Sequence, residues 1–97
     1  MAAYVIADVE VLDPDQYKEY SRHVPDSLRP YGGRFLARGG ATEVLEGSWE
    51  PQRVVIIEFP SAEKAREWYR SPLYQEILPI RHANARSSLI LVEGVES

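Results

Sequence analysis

Between Ala3 and Leu12 apolar and polar side chains alternate: Val5, Ala7, Val9 and Val11 fall on one side, and Tyr4, Ile6, Asp8 and Glu10 on the other. A period of two is that of a strand with one buried face. At Asp13-Pro14-Asp15-Gln16 the pattern changes. Asp13 can cap a helix, Pro14 suits its first position, and Gln16 stands where a capping box places a polar side chain. Tyr17, Tyr20, Val24, Leu28 and Tyr31 then recur every three or four residues, the stripe of an amphipathic helix. Pro25 should kink this helix, because it has no N–H to donate and its ring crowds the preceding turn. Gly32-Gly33 should end it.

A second strand is expected from Arg34, with Phe35 and Ala37 pointing one way and Arg34, Leu36 and Arg38 the other. Gly39-Gly40 interrupts it as a bulge or bend, and Thr42 to Glu46 can resume it. Gly47 to Pro51 reads as a loop. Gln52 to Phe59 is the strongest strand, and its unbroken Val54-Val-Ile-Ile57 run suggests a central position. Ser61 caps a second helix with Ala62, Ala65, Trp68 and Tyr69 on its apolar side. Ser71-Pro72 restarts a helix with a Leu73, Ile77 and Ile80 stripe, which Pro79 should distort. Ser87 to Glu93 is the last strand, and Gly94 to Ser97 reads as a frayed tail.

The order β-α-β-β-α-β, with an extra helical segment before the last strand, predicts an α+β fold of the ferredoxin-like type. Four antiparallel strands would carry both helices on one face. The 97 residues suit one domain, with a core over about residues 3–94, and are too few for two.

Helices on one face leave the other open. Ile6, Leu36, Val54, Ile56, Ile90 and Val92 are assigned to that open face, and a monomer rarely leaves so large an apolar patch in water. A homodimer with sheets packed face to face is the simplest cover. The alternative is that the tail or the segment 73–86 folds over it. Asp8, Arg38 and Glu58 are placed on the same face, and Arg38 is expected to pair with Glu58. One reading is a small-molecule cleft, between sheet and helices or at the dimer seam. There Arg38 would orient an anionic or carbonyl group, and Glu58 or Asp8 would move protons. The other is an ion-pair cluster that fixes register and assembly without catalysis.

Composition narrows the classes further. A hydrophobic content of 44% is that of a folded chain, so disorder is not expected. A net charge of −4 lacks the basic footprint that nucleic acid or an anionic membrane requires. No cysteine is present, which excludes disulfides and thiolate chemistry. The N-terminus has neither a basic region nor a long apolar core, so no signal peptide is expected and a cytoplasmic setting is. His23 and His82 are not in a metal-ligand spacing, and no motif asks for a metal or a cofactor. They read as solvated or locally bonded side chains. The two Gly-Gly pairs lack a P-loop lysine. Trp49, Trp68, Tyr69 and Tyr74 read as core and dimer-rim packing rather than as an aromatic pocket.

The run Tyr31-Gly-Gly-Arg-Phe-Leu-Ala-Arg-Gly-Gly40, followed by Glu46-Gly47, Arg53-Val-Val-Ile-Ile-Glu-Phe-Pro60, Trp68-Tyr69, Ser71-Pro72 and Tyr74, resembles family 1330 of the domains of unknown function. The likeness runs from Tyr4 to Gly94. It implies a small bacterial protein built as a dimeric α/β barrel of ferredoxin-like subunits. The wider superfamily holds cofactor-free monooxygenases of quinol-like aromatics, muconolactone-type isomerases, dehydratases, haem enzymes and ligand-binding domains without catalysis. The family has no settled activity, so the resemblance carries over no catalytic residues. A cofactor-independent enzyme of a small carbonyl, lactone or aromatic compound and a non-catalytic binding or structural dimer both remain open.

Overall fold

A computed structural model describes residues 1–95 of the chain. Strand β1 (Ala3–Val11) lies inside the sheet, between β3 (Val54–Phe59) and β4 (Ala85–Glu93). Strand β2 (Arg34–Arg38) lies outside β3, giving the order β2-β3-β1-β4 with every neighbour antiparallel. This is the ferredoxin-like sheet that the alternating pattern implies. Val5, Ala7 and Val9 are buried with Val55, Ile57 and Phe59 on one face, while Ile6, Val54 and Ile56 are half-buried on the other.

The helical caps follow the sequence. Asp13 accepts the Gln16 N–H at 3.2 Å and starts α1 (Pro14–Ser21). Ser61 accepts the Lys64 N–H at 3.1 Å and starts α3 (Ala62–Arg70). Ser71 accepts the Tyr74 N–H at 3.2 Å and starts α4 (Pro72–Asn84). Such caps each contribute about 1 kcal/mol. Between α1 and α3, α2 (Val24–Leu28) leads into a 3-10 turn, Arg29–Tyr31, that ends on Gly32 in the left-handed region (φ 71°).

Pro25 does more than kink one helix. The chain stops at Ser21 and restarts at Val24. An uninterrupted helix would bond the N–H of residue 25 to the carbonyl of Ser21. Proline has no N–H, so that carbonyl is left for another donor.

Helices and sheet close over an aromatic core. The Trp68 ring lies 5.4 Å from Phe59 and 4.1 Å from Tyr74 between centroids. The Trp68 indole N–H donates to Ser27 Oγ at 3.0 Å, and Ser27 donates to the Val24 carbonyl at 2.7 Å. The largest ring is thereby buried without an unsatisfied polar edge.

Several expectations are corrected. Residues 42–46 do not resume β2; the chain from Gly39 to Arg53 is a loop without regular structure. Strand β3 starts at Val54 and β4 at Ala85. Helix α4 runs through Pro79 unbroken. Its buried stripe is Tyr74, Ile77, Leu78 and Arg81, while Leu73 stays exposed. Gly94 is not loose, since its N–H donates to the Ala2 carbonyl at 2.8 Å. Val95, next in the tail expected to fray, lies outside any strand and is 93% exposed, and residues 96–97 lie outside the described residues.

The main correction is in β2. Phe35 pairs with Ile57, but Ala37 pairs with Ile56 and Arg38 with Val55, so the register shifts by one within the strand. One extra residue reverses the alternation beyond it. Arg34 therefore faces the open side and Arg38 the helix side. The bulge was expected at Gly39-Gly40 and falls before Ala37 instead.

Candidate functional site

The shift in β2 divides the three residues singled out from sequence. Glu58 pairs across the strands with Arg34, not Arg38, and the Arg34 Nε to Glu58 Oε1 distance is 2.7 Å. Arg34 is exposed, and such a pair contributes at most about 1 kcal/mol. Asp8 lies on the same open side as Glu58 and has a different occupation. Its carboxylate accepts the Trp49 indole N–H at 3.1 Å, the Gln52 backbone N–H at 2.9 Å and the Arg53 backbone N–H at 3.4 Å. These donors, Trp49 first and Gln52 second, hold the Asp8 carboxyl below its usual pKa. Asp8 thus ties the 39–53 loop to β1. The structure brings Asp8 and Glu58 to one face and puts Arg38 on the other, so the sheet stands between them.

Arg38 reaches the helix layer. Its guanidinium lies 4.3 Å from the centre of the Phe35 ring and donates to the Ser21 carbonyl at 2.5 Å. This is the carbonyl that Pro25 leaves without a helical partner. Proline in α2 and the extra residue in β2 together seat Arg38 at the mouth of a cavity between sheet and helices.

The floor of that cavity is Val5, Ala7, Val9, Val55 and Ile57 of the sheet. Its walls are the rings of Tyr17, Tyr20, Phe35 and Trp68. Its enclosed volume is about 40 Å³, and the space out through the open mouth about 450 Å³. Three guanidinium groups line it, those of Arg38, Arg53 and Arg81, and no carboxylate or histidine does. None of the three makes an ion pair among the described residues.

Arg53 and Arg81 were not singled out by sequence. Arg53 precedes β3, and its backbone is held on both sides: the N–H by Asp8 and the carbonyl by the Val9 N–H at 2.9 Å. Its guanidinium lies 6.0 Å from the Tyr17 ring and against Gly39. A Cβ on Gly39 would run into the Arg53 guanidinium and push it aside, and φ there is 73°, so it is the backbone that requires glycine. Arg81 comes from α4, is 4% exposed, donates to Ser87 Oγ on β4, and lies 5.7 Å from the Tyr20 ring.

Above Arg81 the Tyr20 and Tyr74 hydroxyls share a hydrogen bond of 2.7 Å. Burial pushes the pKa of both tyrosines up, so both keep their protons at neutral pH. Burial opposes the Arg81 charge, but the neighbouring Tyr74 and Tyr20 oxygens outweigh it and leave its pKa above the ordinary value. The cavity therefore presents cations and hydroxyl donors on an apolar, aromatic surface. Chemically it can hold negative charge; it has no group that would accept a proton near neutral pH. Among the described residues no cluster of three or more His, Asp or Glu side chains could hold a metal ion, and no helix is long and apolar enough to cross a membrane.

A family model described as "Domain of unknown function (DUF1330)" matches residues 2–95. No curated protein matches the chain. Among solved structures, a protein of unknown function from Rhodopseudomonas palustris is 24% identical, with a TM-score of 0.77 over 99% of this chain and 84% of its own. A dimeric ferredoxin-like protein of unknown function from Jannaschia sp. CCS1 is 13% identical, with a TM-score of 0.72 over 97% of this chain and 100% of its own. SnoaB of Streptomyces nogalater, a cofactor-independent oxygenase, is 12% identical, with a TM-score of 0.67 over 99% of this chain and 95% of its own. At these identities the likeness establishes the ferredoxin-like fold alone.

Proposed function

We propose that this chain, which belongs to the DUF1330 family, binds a small organic anion between its sheet and helices and works as a homodimer joined through the open sheet face. The observation that carries the binding site is the lining: three guanidinium groups on an apolar, aromatic cavity with no carboxylate among them. A buried cation without a counter-charge is costly. Arg81 is buried and Arg53 half-buried, and keeping both beside the exposed Arg38 makes physical sense where a ligand brings the negative charge, to which planar guanidinium groups are suited. Rings and aliphatic floor call for a compact apolar body on that anion.

The same lining puts binding ahead of catalysis. For a carbonyl, lactone or aromatic substrate the cavity offers charge stabilisation by Arg38, Arg81 and the Tyr20 hydroxyl. It offers no carboxylate or imidazole as a general base, because Asp8 and Glu58 lie across the sheet. Likeness to an oxygenase at 12% identity does not supply that base.

The dimer rests on the open face. Leu36, Ile90 and Val92 remain 49%, 61% and 42% exposed there, beside half-buried Ile6, Val54 and Ile56. A patch of this kind calls for a cover, and related folds carry the description dimeric.

A thermal-shift screen of small carboxylates at fixed protomer concentration tests the binding reading, with Arg81→Met beside the natural chain. At a hundredfold its Kd a ligand adds about 2.7 kcal/mol, which moves the midpoint of so small a domain by about ten degrees. Carboxylates that stabilise the natural chain and not the variant support the site. Equal shifts in both, or none with any carboxylate, reject it.

A further inference from the structure

The buried side-chain nitrogens and oxygens left without a partner are two, among the described residues: Arg53 Nε and Arg81 Nε. Both belong to the one cavity. Buried donors are almost always satisfied, so two orphans of the same kind in one place ask for acceptors that the chain does not itself contain. Resting on the anion-binding reading, we infer that the ligand is a dianion, a dicarboxylate whose two acidic groups stand at opposite ends of a short apolar spacer and are received by Arg53 and Arg81.

The separation follows from the sheet. Val9 of β1 bonds through its N–H to the Arg53 carbonyl on one side and is paired with Ser87 of β4 on the other. Arg53 and Ser87 therefore flank β1, two strand spacings or about 10 Å apart along the backbone. Arg81 is tethered to Ser87 through its Nη1. Arg53 is held over Gly39 and Tyr17 on the far flank. One guanidinium thus guards each side, and Ala7, Val9 and the Tyr20 ring lie between them. A single carboxylate would satisfy one flank and leave the other orphan in place. Two carboxylates satisfy both, and the ring-lined space between accepts the apolar spacer. The charge count agrees, because three cations with no anion in the lining are better matched by two negative charges than by one.

Matched pairs of ligands separate this inference from the reading it rests on. Isothermal titration would compare terephthalate with 4-methylbenzoate, and the aliphatic dicarboxylates from succinate to adipate with butyrate. In each pair the apolar body is similar and only the second charge differs. The best dicarboxylate is expected to bind at least about tenfold tighter than its monoanion, the effect of one more charge-assisted hydrogen bond. Arg53→Gln should erase that preference, bringing the affinity of the best dicarboxylate down to that of its matched monoanion measured on the same variant. Gly39→Ala displaces the Arg53 guanidinium without removing its charge and should erode the preference in the same way, which covers the case that Arg53→Gln does not fold. Monoanions that bind as tightly as every dicarboxylate, or a preference untouched by both variants, would overturn the dianion while leaving anion binding intact. No binding by any member of the panel would overturn both.

Discussion

Replacing Arg81 by methionine separates a group kept for a ligand from one kept for the fold. Arg81 is 4% exposed, faces no carboxylate, and has one N–H without an acceptor. The variant loses the hydrogen bond to Ser87 and contacts to the tyrosine oxygens, about 1 kcal/mol each. Little is stranded by the loss: Ser87 is half-buried and can turn to water, and the Tyr20 and Tyr74 hydroxyls keep each other. Against this, the substitution removes an orphaned buried donor, worth about 1–3 kcal/mol, and the desolvation of a charge that only the tyrosine oxygens offset. A methionine fills most of the same volume. The balance runs from about zero to 2 kcal/mol in favour of the variant. At about 4–8 °C per kcal/mol for a domain of this size, the ligand-free midpoint should stay level or rise by up to about 15 °C. Differential scanning fluorimetry at matched protomer concentration measures it. A midpoint lowered by about 10 °C or more would refute the reasoning and make Arg81 a strut of the core.

Other perturbations test the remaining assignments. Ile90→Glu, at a side chain 61% exposed in the single chain, should leave the subunit folded and split the dimer by light scattering; a dimer that survives it would move the interface off the open face. Asp8→Asn should release the 39–53 loop and shift Trp49 emission toward that of free indole. The natural chain should show the same shift in acid, because the carboxyl is held below 3.8 and its contribution is lost only as pH falls through that lowered value. Unchanged emission in both would remove Asp8 as the anchor. Tyr74→Phe should cost about 1–3 kcal/mol in urea denaturation, since it strips the Tyr20 hydroxyl of its buried partner. Both tyrosine pKa values are raised, so the folded state keeps protons that the unfolded chain releases above about pH 10, and stability should fall as pH climbs past that point. A flat profile there would contradict the burial of the pair.

Much of the architecture was legible because local and global signals agree. The alternation in β1, the caps at Asp13, Ser61 and Ser71, and the stop at Gly32 each have a short-range cause. The candidate site was less legible. Arg38 was found, but on the wrong face, because a bulge leaves no signature when the extra residue is an ordinary Leu or Ala rather than a glycine. Arg53 and Arg81 were not singled out as site residues. Helix periodicity could have exposed Arg81, which stands seven residues after Tyr74 and four after Ile77 on the buried stripe. What sequence cannot display is that its neighbours across the sheet include no acid. The loss of a helical N–H at Pro25 was visible; that the freed Ser21 carbonyl would receive Arg38 depends on a contact 17 residues away.

The division of charge between the two faces follows from that one shift in β2. Had the register run straight, Arg38 would lie with Asp8, Glu10 and Glu58 on the open face, and the cavity would keep two guanidinium groups instead of three. With the bulge, Asp8, Glu10 and Glu58 stay on the open side, while arginines supply the charged groups that line the cavity. The protein as a whole carries −4, so its distant field repels anions. Attraction begins only near the mouth, where Arg38 stands partly exposed and solvent screening gives way to low-dielectric walls. An anion held only by long-range attraction would gain nothing here. One shaped to reach past Arg38 to the buried donors would gain most of its binding energy at short range, where geometry as well as charge selects it.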